Sequence, residues 1–116
     1  GYNPIQFKEI GAKFGPIDLA AIPIGAYEPR WFMKTMHVNP SEALDIHRDI
    51  GAQWSFGIHW GTFQLTDEAP LEPKEELLKA RAQRGLTEDD FTTLAIGETF
   101  VVQAAREFEA TEVLQD

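Results

Sequence analysis

The chain has 116 residues, 43% of them apolar and 25% charged, which makes one domain or less with enough apolar material for a core. Its formal net charge of -9 argues against nucleic acid, whose phosphates need clustered Lys and Arg, and against strong attraction to anionic headgroups. There is no cysteine, which excludes disulfides, thiolate-held zinc and thiol catalysis, and no apolar run reaches the roughly 20 residues of a membrane span.

Gly1-Tyr2-Asn3-Pro4 lacks the basic-then-apolar pattern of a signal peptide. Ile5 to Phe14 reads as a short helix with Phe7, Ile10 and Phe14 on one face, stopped by Gly15-Pro16. Ile17 to Ile24 is a nearly continuous apolar run, the pattern of a strand covered on both faces, with Pro23 marking its end. Gly25 to Val38 has no clear period and holds Tyr27, Trp31, Phe32, Met33, Met36 and His37, so it is expected as a long aromatic loop of functional weight. A helix follows with a strong start: Asn39 caps, Pro40 takes the first helical position and Glu42 reaches back. Ala43, Ile46, His47 and Ile50 share its inner face, and Gly51 ends it.

Trp54 to Ile58 is a short strand running into His59, and Gly61 to Pro73 a loop. Pro73 opens another helix that turns Leu77 and Leu78 inward, pairs Glu75 with Lys79 on its outer side and ends at Gly85. Thr87 with Asp90 forms a further capping signal, within the acidic run Glu88-Asp89-Asp90 that reads as a solvated turn. Two short strands are expected at Phe91–Ile96 and Thr99–Val102, and a polar, helical tail from Gln103 to Asp116. Helices alternating with strands make an α/β layer in which the strands near Ala20 and Phe56 run parallel. No repeat, linker or low-complexity stretch divides the chain, so residues 1–116 form one unit.

His59 is the foremost candidate for chemistry. It stands where an apolar strand gives way to a Gly-containing loop, the place where functional residues of layered α/β folds gather. A neutral imidazole there binds a metal or moves a proton; the plain alternative is a ring whose nitrogens are satisfied by nearby backbone. His37 closes the aromatic loop just before a helix N-terminus, whose dipole favours the neutral ring; its plain alternative is packing on Trp31 or Phe32. His47, on the apolar face of a helix, reads as a satisfied core histidine. Separated by ten and twelve residues, the three make no ligand motif, whereas a catalytic zinc centre takes about three protein ligands plus water. No nucleophile elbow and no Gly-rich phosphate loop occur, and Glu28 with Arg30 reads as a loop ion pair.

Longer stretches resemble a known family. Phe14-Gly15-Pro16-Ile17-Asp18-Leu19-Ala20-Ala21-Ile22-Pro23-Ile24-Gly25-Ala26-Tyr27-Glu28-Pro29-Arg30-Trp31-Phe32-Met33 is similar to the N-acyl-phosphatidylethanolamine-hydrolysing phospholipases D and their bacterial relatives. So are His37-Val38-Asn39-Pro40 with Glu42-Ala43, and Ile58-His59-Trp60-Gly61-Thr62-Phe63; Glu72-Pro73 and Gly85-Leu86 continue the match in order to about Glu98. The resemblance implies a metallo-β-lactamase fold, of which residues 1–116 would be the C-terminal half of the αββα sandwich, a single partial domain. It implies a two-metal hydrolase, usually of zinc, in which the metals activate the water that attacks phosphorus. His59 maps onto the last metal ligand in chain order. His37 maps onto a residue beside the metals that contacts substrate or transfers a proton. Tyr27, Trp31 and Phe32 would line the mouth of the site, and the parent protein would meet a lipid substrate.

Gly1-Tyr2 resembles the end of the family's Gly-Asp-Thr-Gly-Tyr stretch, and the upstream His-x-His-x-Asp-His motif is not within the 116 residues. The expectation is therefore a chain without most of the metal ligands, inactive alone and holding no zinc tightly. A strand with no polar alternation and no second sheet to cover it is expected to self-associate, as a homodimer with Trp54, Phe56 and the neighbours of Ile22 at an apolar interface. Two other expectations stand beside the enzyme: a non-catalytic oligomeric half-domain, and a binding module that uses the aromatic loop for an apolar ligand.

Overall fold

Two of the four helices among the described residues start at side-chain caps written in the sequence. A computed structural model of the chain describes residues 1–103. Helix α1 (Pro4–Phe14) starts where the Asn3 side chain accepts hydrogen bonds from the amides of Ile5 and Gln6, with Pro4 in the first turn. A proline there gives up only an N–H that a helix start leaves unpaired. The helix lies lightly on the rest: none of its residues is buried, and Phe7 rests on the core and stacks with Tyr2. Helix α3 (Pro40–Asp49) has the expected reciprocal cap, with the Glu42 amide donating to Asn39 at 2.8 Å and the Asn39 amide donating to Glu42 at 3.1 Å. Two of the donors that a helix start leaves open are thereby satisfied.

Strands β1 (Ile17–Pro23), β2 (Ala52–Ile58) and β3 (Phe91–Thr92) form one sheet in the order β1-β2-β3, parallel throughout. The connection from β1 to β2 passes through a short helix, α2 (Arg30–Met33), and then α3. Helix α4 (Glu72–Gln83) packs on α3, and Arg84 beyond its end donates to Asp45 at 2.6 Å and Ser41 at 2.9 Å. Arg81 ties the same helix to β3 through the Phe91 carbonyl, at 2.9 Å. The core sits between the sheet and α3–α4, where Ile24, Leu44, Leu77 and Phe91 are fully buried. Each such side chain contributes about 1.5–3 kcal/mol relative to exposure.

His47 belongs to this core. Its Nδ1 lies 2.6 Å from the Ser55 hydroxyl, its ring meets Phe91 edge-on, and burial lowers its pKa. It is the satisfied core histidine that its position on the helix suggested.

The structure departs from the sequence reading in several places. The β1–β2 register pairs Leu19 with Trp54, Ala21 with Phe56 and Pro23 with Ile58. Successive side chains of a strand point to opposite faces, so these six share the face opposite to buried Ile22, Ser55 and Gly57. Ala21, Pro23 and Ile58 are exposed and the other three are half-buried. β1 is thus covered on one face: its apolar run has the pattern of a strand covered on two, and the second face lies open, as expected where no second sheet packs on it. After Thr92 no further strand forms among the described residues, so the strand expected at Thr99–Val102 is absent and the one at Phe91–Ile96 is shortened to its first two residues. Lys79 pairs with Glu76 at 3.3 Å, one position from the expected Glu75. Beyond its first residue, Gln103, the expected tail helix lies outside the described residues.

Candidate functional site

β1 and β2 end side by side, with the Ile24 amide donating to the Ile58 carbonyl at 3.0 Å. Just past this point both segments turn through the left-handed region, at Ala26 (φ 63°) and His59 (φ 61°). For residues other than glycine that conformation costs about 1–2 kcal/mol, and it persists only where the surroundings hold it. Two contacts hold His59. Gly25 passes so close beneath it that a Cβ on Gly25 would lie 2.1 Å from the His59 carbonyl oxygen. The indole N–H of Trp60 donates to the Gly57 carbonyl at 3.2 Å.

Ala26 is held by Glu68, a residue that no sequence signal marked. The buried Glu68 carboxylate accepts the successive amides of Ala26, Tyr27 and Glu28, at 3.2, 2.9 and 2.7 Å, and the Thr66 hydroxyl. Burial alone would raise its pKa, but the hydrogen bonds from Thr66 and from the amides of Glu28 and Tyr27 outweigh that and hold the carboxyl below its ordinary value.

The aromatic segment from Gly25 to Val38 is more ordered than a loop. It contains α2, and Arg30 ties it down by donating to the carbonyls of Tyr27 (3.2 Å) and His37 (3.4 Å) while pairing with Glu42. The expected partner, Glu28, is not the one used: Glu42 stands at the capped start of α3, where the guanidinium reaches it from α2. Glu42 thus serves both the helix cap and the loop.

These constraints bring His37 and His59 together. Their ring centroids are 5.5 Å apart and their planes lie 25° from parallel. Among the described residues neither ring makes a hydrogen bond, so their nitrogens are open to an added partner. The His37 pKa is lowered, first by burial and then by the neighbouring His59, with the Glu68 charge opposing.

The three aromatic candidates separate. Tyr27 is buried, its hydroxyl donating to Glu72 at 2.9 Å, and burial followed by that bond raises its pKa strongly. Trp31 and Phe32 are exposed and meet edge to face, with centroids 5.6 Å apart. Beside His59, a cavity of about 350 Å³ is lined by His59, Trp60, Thr62, Phe63 and Leu65. Apolar side chains thus line the cavity beside His59, while Trp31 and Phe32 stand exposed on the segment that leads to His37. No cluster of three or more His, Asp or Glu able to hold a metal occurs among the described residues.

Comparison with known proteins shows the family to which the sequence belongs. Residues 1–60 match the family described as the beta-lactamase superfamily domain. A Caenorhabditis elegans protein, N-acyl-phosphatidylethanolamine-hydrolyzing phospholipase D 1, is 51% identical over 100 residues, which is 84% of this chain and 28% of that protein. The mitochondrial N-acyl-phosphatidylethanolamine-hydrolyzing phospholipase D of Saccharomyces cerevisiae is 46% identical over 78 residues, 66% of this chain and 17% of that protein. An uncharacterised Mycobacterium bovis protein is 42% identical over 90 residues, 75% of this chain and 23% of that protein. The chain thus spans from about a sixth to somewhat over a quarter of the relatives it matches.

Proposed function

The chain belongs to the beta-lactamase superfamily, and from that premise we propose that it carries one edge of a metal-dependent hydrolase site acting on a phosphodiester of an acylated lipid. The observation that supports this most is the meeting of His37 and His59 at the carboxyl ends of parallel strands, with ring nitrogens that no described residue occupies. In this reading His59 is a metal ligand. It stands on a strand end and is fixed by Gly25 and Trp60, so it is held more rigidly than a loop residue would be. His37 contacts substrate or carries a proton, and its lowered pKa keeps the ring neutral and able to accept one. Exposed Trp31 and Phe32, and Phe63 and Leu65 in the cavity beside His59, supply apolar surface for acyl chains. Tyr27, expected at the mouth of the site, contributes instead as a buried side chain bonded to Glu72.

Zinc is the metal that the family implies, and when bound it would polarise the scissile phosphoryl group and activate water. The donor set present does not fit a complete centre. Two imidazoles fall short of the roughly three protein ligands that a catalytic zinc takes. The contribution of these residues is to present and orient part of a ligand set, and the chain by itself is expected to be inactive. Elemental analysis after chelator dialysis should find less than one zinc per chain. Titration should show only weak binding, which His59→Ala removes. Zinc binding indifferent to His59→Ala would refute the ligand role, and robust zinc-dependent turnover lost in His59→Ala would refute the inactivity.

A second reading is favoured by the exposed Trp31, Phe32, Met36, Phe63 and Leu65: a non-catalytic module that binds an apolar ligand. It requires no metal, so long-chain amphiphile binding of equal affinity in wild type and His59→Ala would select it.

A further inference from the structure

We infer that Glu68 is a positioning residue that sets the spacing of the His37–His59 pair, an inference that rests on reading that pair as the functional site. The carboxylate hydrogen-bonds to neither imidazole, and its charge acts on His37 only across space, in the direction that raises that ring's pKa. Its partners are the three successive amides of residues 26–28 and the Thr66 hydroxyl. From there two short mechanical routes lead to the two rings.

The first route is backward along the chain. Ala26 keeps its left-handed turn because its amide is bound, and that turn lays Gly25 against the His59 carbonyl, with no room for a Cβ between them. The second route runs forward. Tyr27 offers its carbonyl to Arg30, and the same guanidinium nitrogen reaches the His37 carbonyl. The Asp67 amide closes the loop by donating to the Glu28 carbonyl at 3.2 Å. One buried anion thus sits at the junction of the segment under His59 and the segment that carries His37.

The chemistry of the junction explains why a carboxylate occupies it. Successive amide groups pointing to one centre make a small anion site, and hydrogen bonds to an ionised acceptor are shorter and stronger than neutral ones. An amide side chain of the same shape offers a single oxygen in place of two. Glu68→Gln should therefore loosen residues 26–28 while filling the same volume.

The test is solution NMR of the whole chain, without metal and without substrate. In the wild type, nuclear Overhauser contacts between the ring protons of His37 and His59 should be present, and the amides of Ala26, Tyr27 and Glu28 should resonate downfield. In Glu68→Gln, at a temperature well below its melting midpoint, those amides should move upfield and the His37–His59 contacts should fall at least threefold. The His47 ring signals, set by Ser55 and Phe91 in the core, should stay in place. A residue important only for general stability would disturb His47 as much as the pair, so equal shifts at His47 would overturn the inference. Ring contacts unchanged while the three amides shift would overturn it as well. If Glu68→Gln does not fold, Thr66→Val, which removes one donor and keeps the charge, is read the same way and should weaken the ring contacts without moving His47; unchanged contacts there would also overturn the inference. Because no metal enters the measurement, a failed zinc titration refutes the metal reading and leaves this result standing, and the converse holds.

Discussion

Replacing Gly25 by alanine puts a methyl group where the chain has no room. A Cβ there would lie 2.1 Å from the His59 carbonyl oxygen, 3.2 Å from its carbonyl carbon and 3.4 Å from the Trp60 Cα. All three are backbone atoms, so no rotamer change relieves the overlap. Restoring ordinary contact at about 3.5 Å requires the two strand ends to separate by more than about 1 Å, against the Ile24–Ile58 hydrogen bond of 3.0 Å. Overpacking costs about 1–3 kcal/mol where neighbours can yield, and here they cannot, so the upper end applies. About 3 kcal/mol corresponds to a fall in midpoint of roughly 10–15 °C for a domain of this size. The assay is thermal unfolding followed by circular dichroism, with guanidinium unfolding as a second measure. Gly61→Ala is the control: Gly61 has a φ of 81° but no heavy atom within 4 Å of an added Cβ, so it costs only the backbone strain of about 1–2 kcal/mol. A Gly25→Ala protein that melts within about 3 °C of wild type, or above Gly61→Ala, would show that the strand ends are not in the contact described.

Glu68 should also shape the acid limb of stability. Its folded pKa lies below the unfolded value of about 4.3; its contribution is therefore complete above that value and is lost as pH falls through the folded pKa. The melting-temperature gap between wild type and Glu68→Gln should stay constant near neutrality and close below about pH 4, and a gap that widens on acidification refutes the assignment. Arg30→Ala should cost about 1–2 kcal/mol, from hydrogen bonds to a charged group discounted for partial exposure; denaturant titration checks it, and no loss would mean that α2 is held by other contacts. The apolar sheet face of Leu19, Ala21, Trp54, Phe56 and Ile58 should drive the isolated chain into a homodimer or higher even-numbered oligomer. Sedimentation equilibrium at micromolar concentration should show this, with Phe56→Lys shifting the chain toward monomer; a cooperatively melting wild-type monomer would refute it.

What the residues determined by themselves is local. The Asn39-Pro40-x-Glu42 cap marked the start of α3, because a cap is a contact between neighbours in sequence, whereas the reading that starts α1 at Ile5 misses the Asn3 cap, which starts it one residue earlier. The α/β alternation and the motif around His59 were legible for the same reason: period and order are carried along the chain. The junction at Glu68 was not, since its partners lie about 40 positions upstream and nothing local separates it from any other surface carboxylate. A similar distance, 45 positions, hid the bond between Tyr27 and Glu72, and even the 12 positions between Arg30 and Glu42 were enough to hide that pair. Only tertiary structure decided these, because hydrogen bonds and cover between remote segments depend on which backbones meet. The two imidazoles, unremarkable at their spacing in sequence, become a pair only when β1 and β2 end together and Gly25 lets the chains touch.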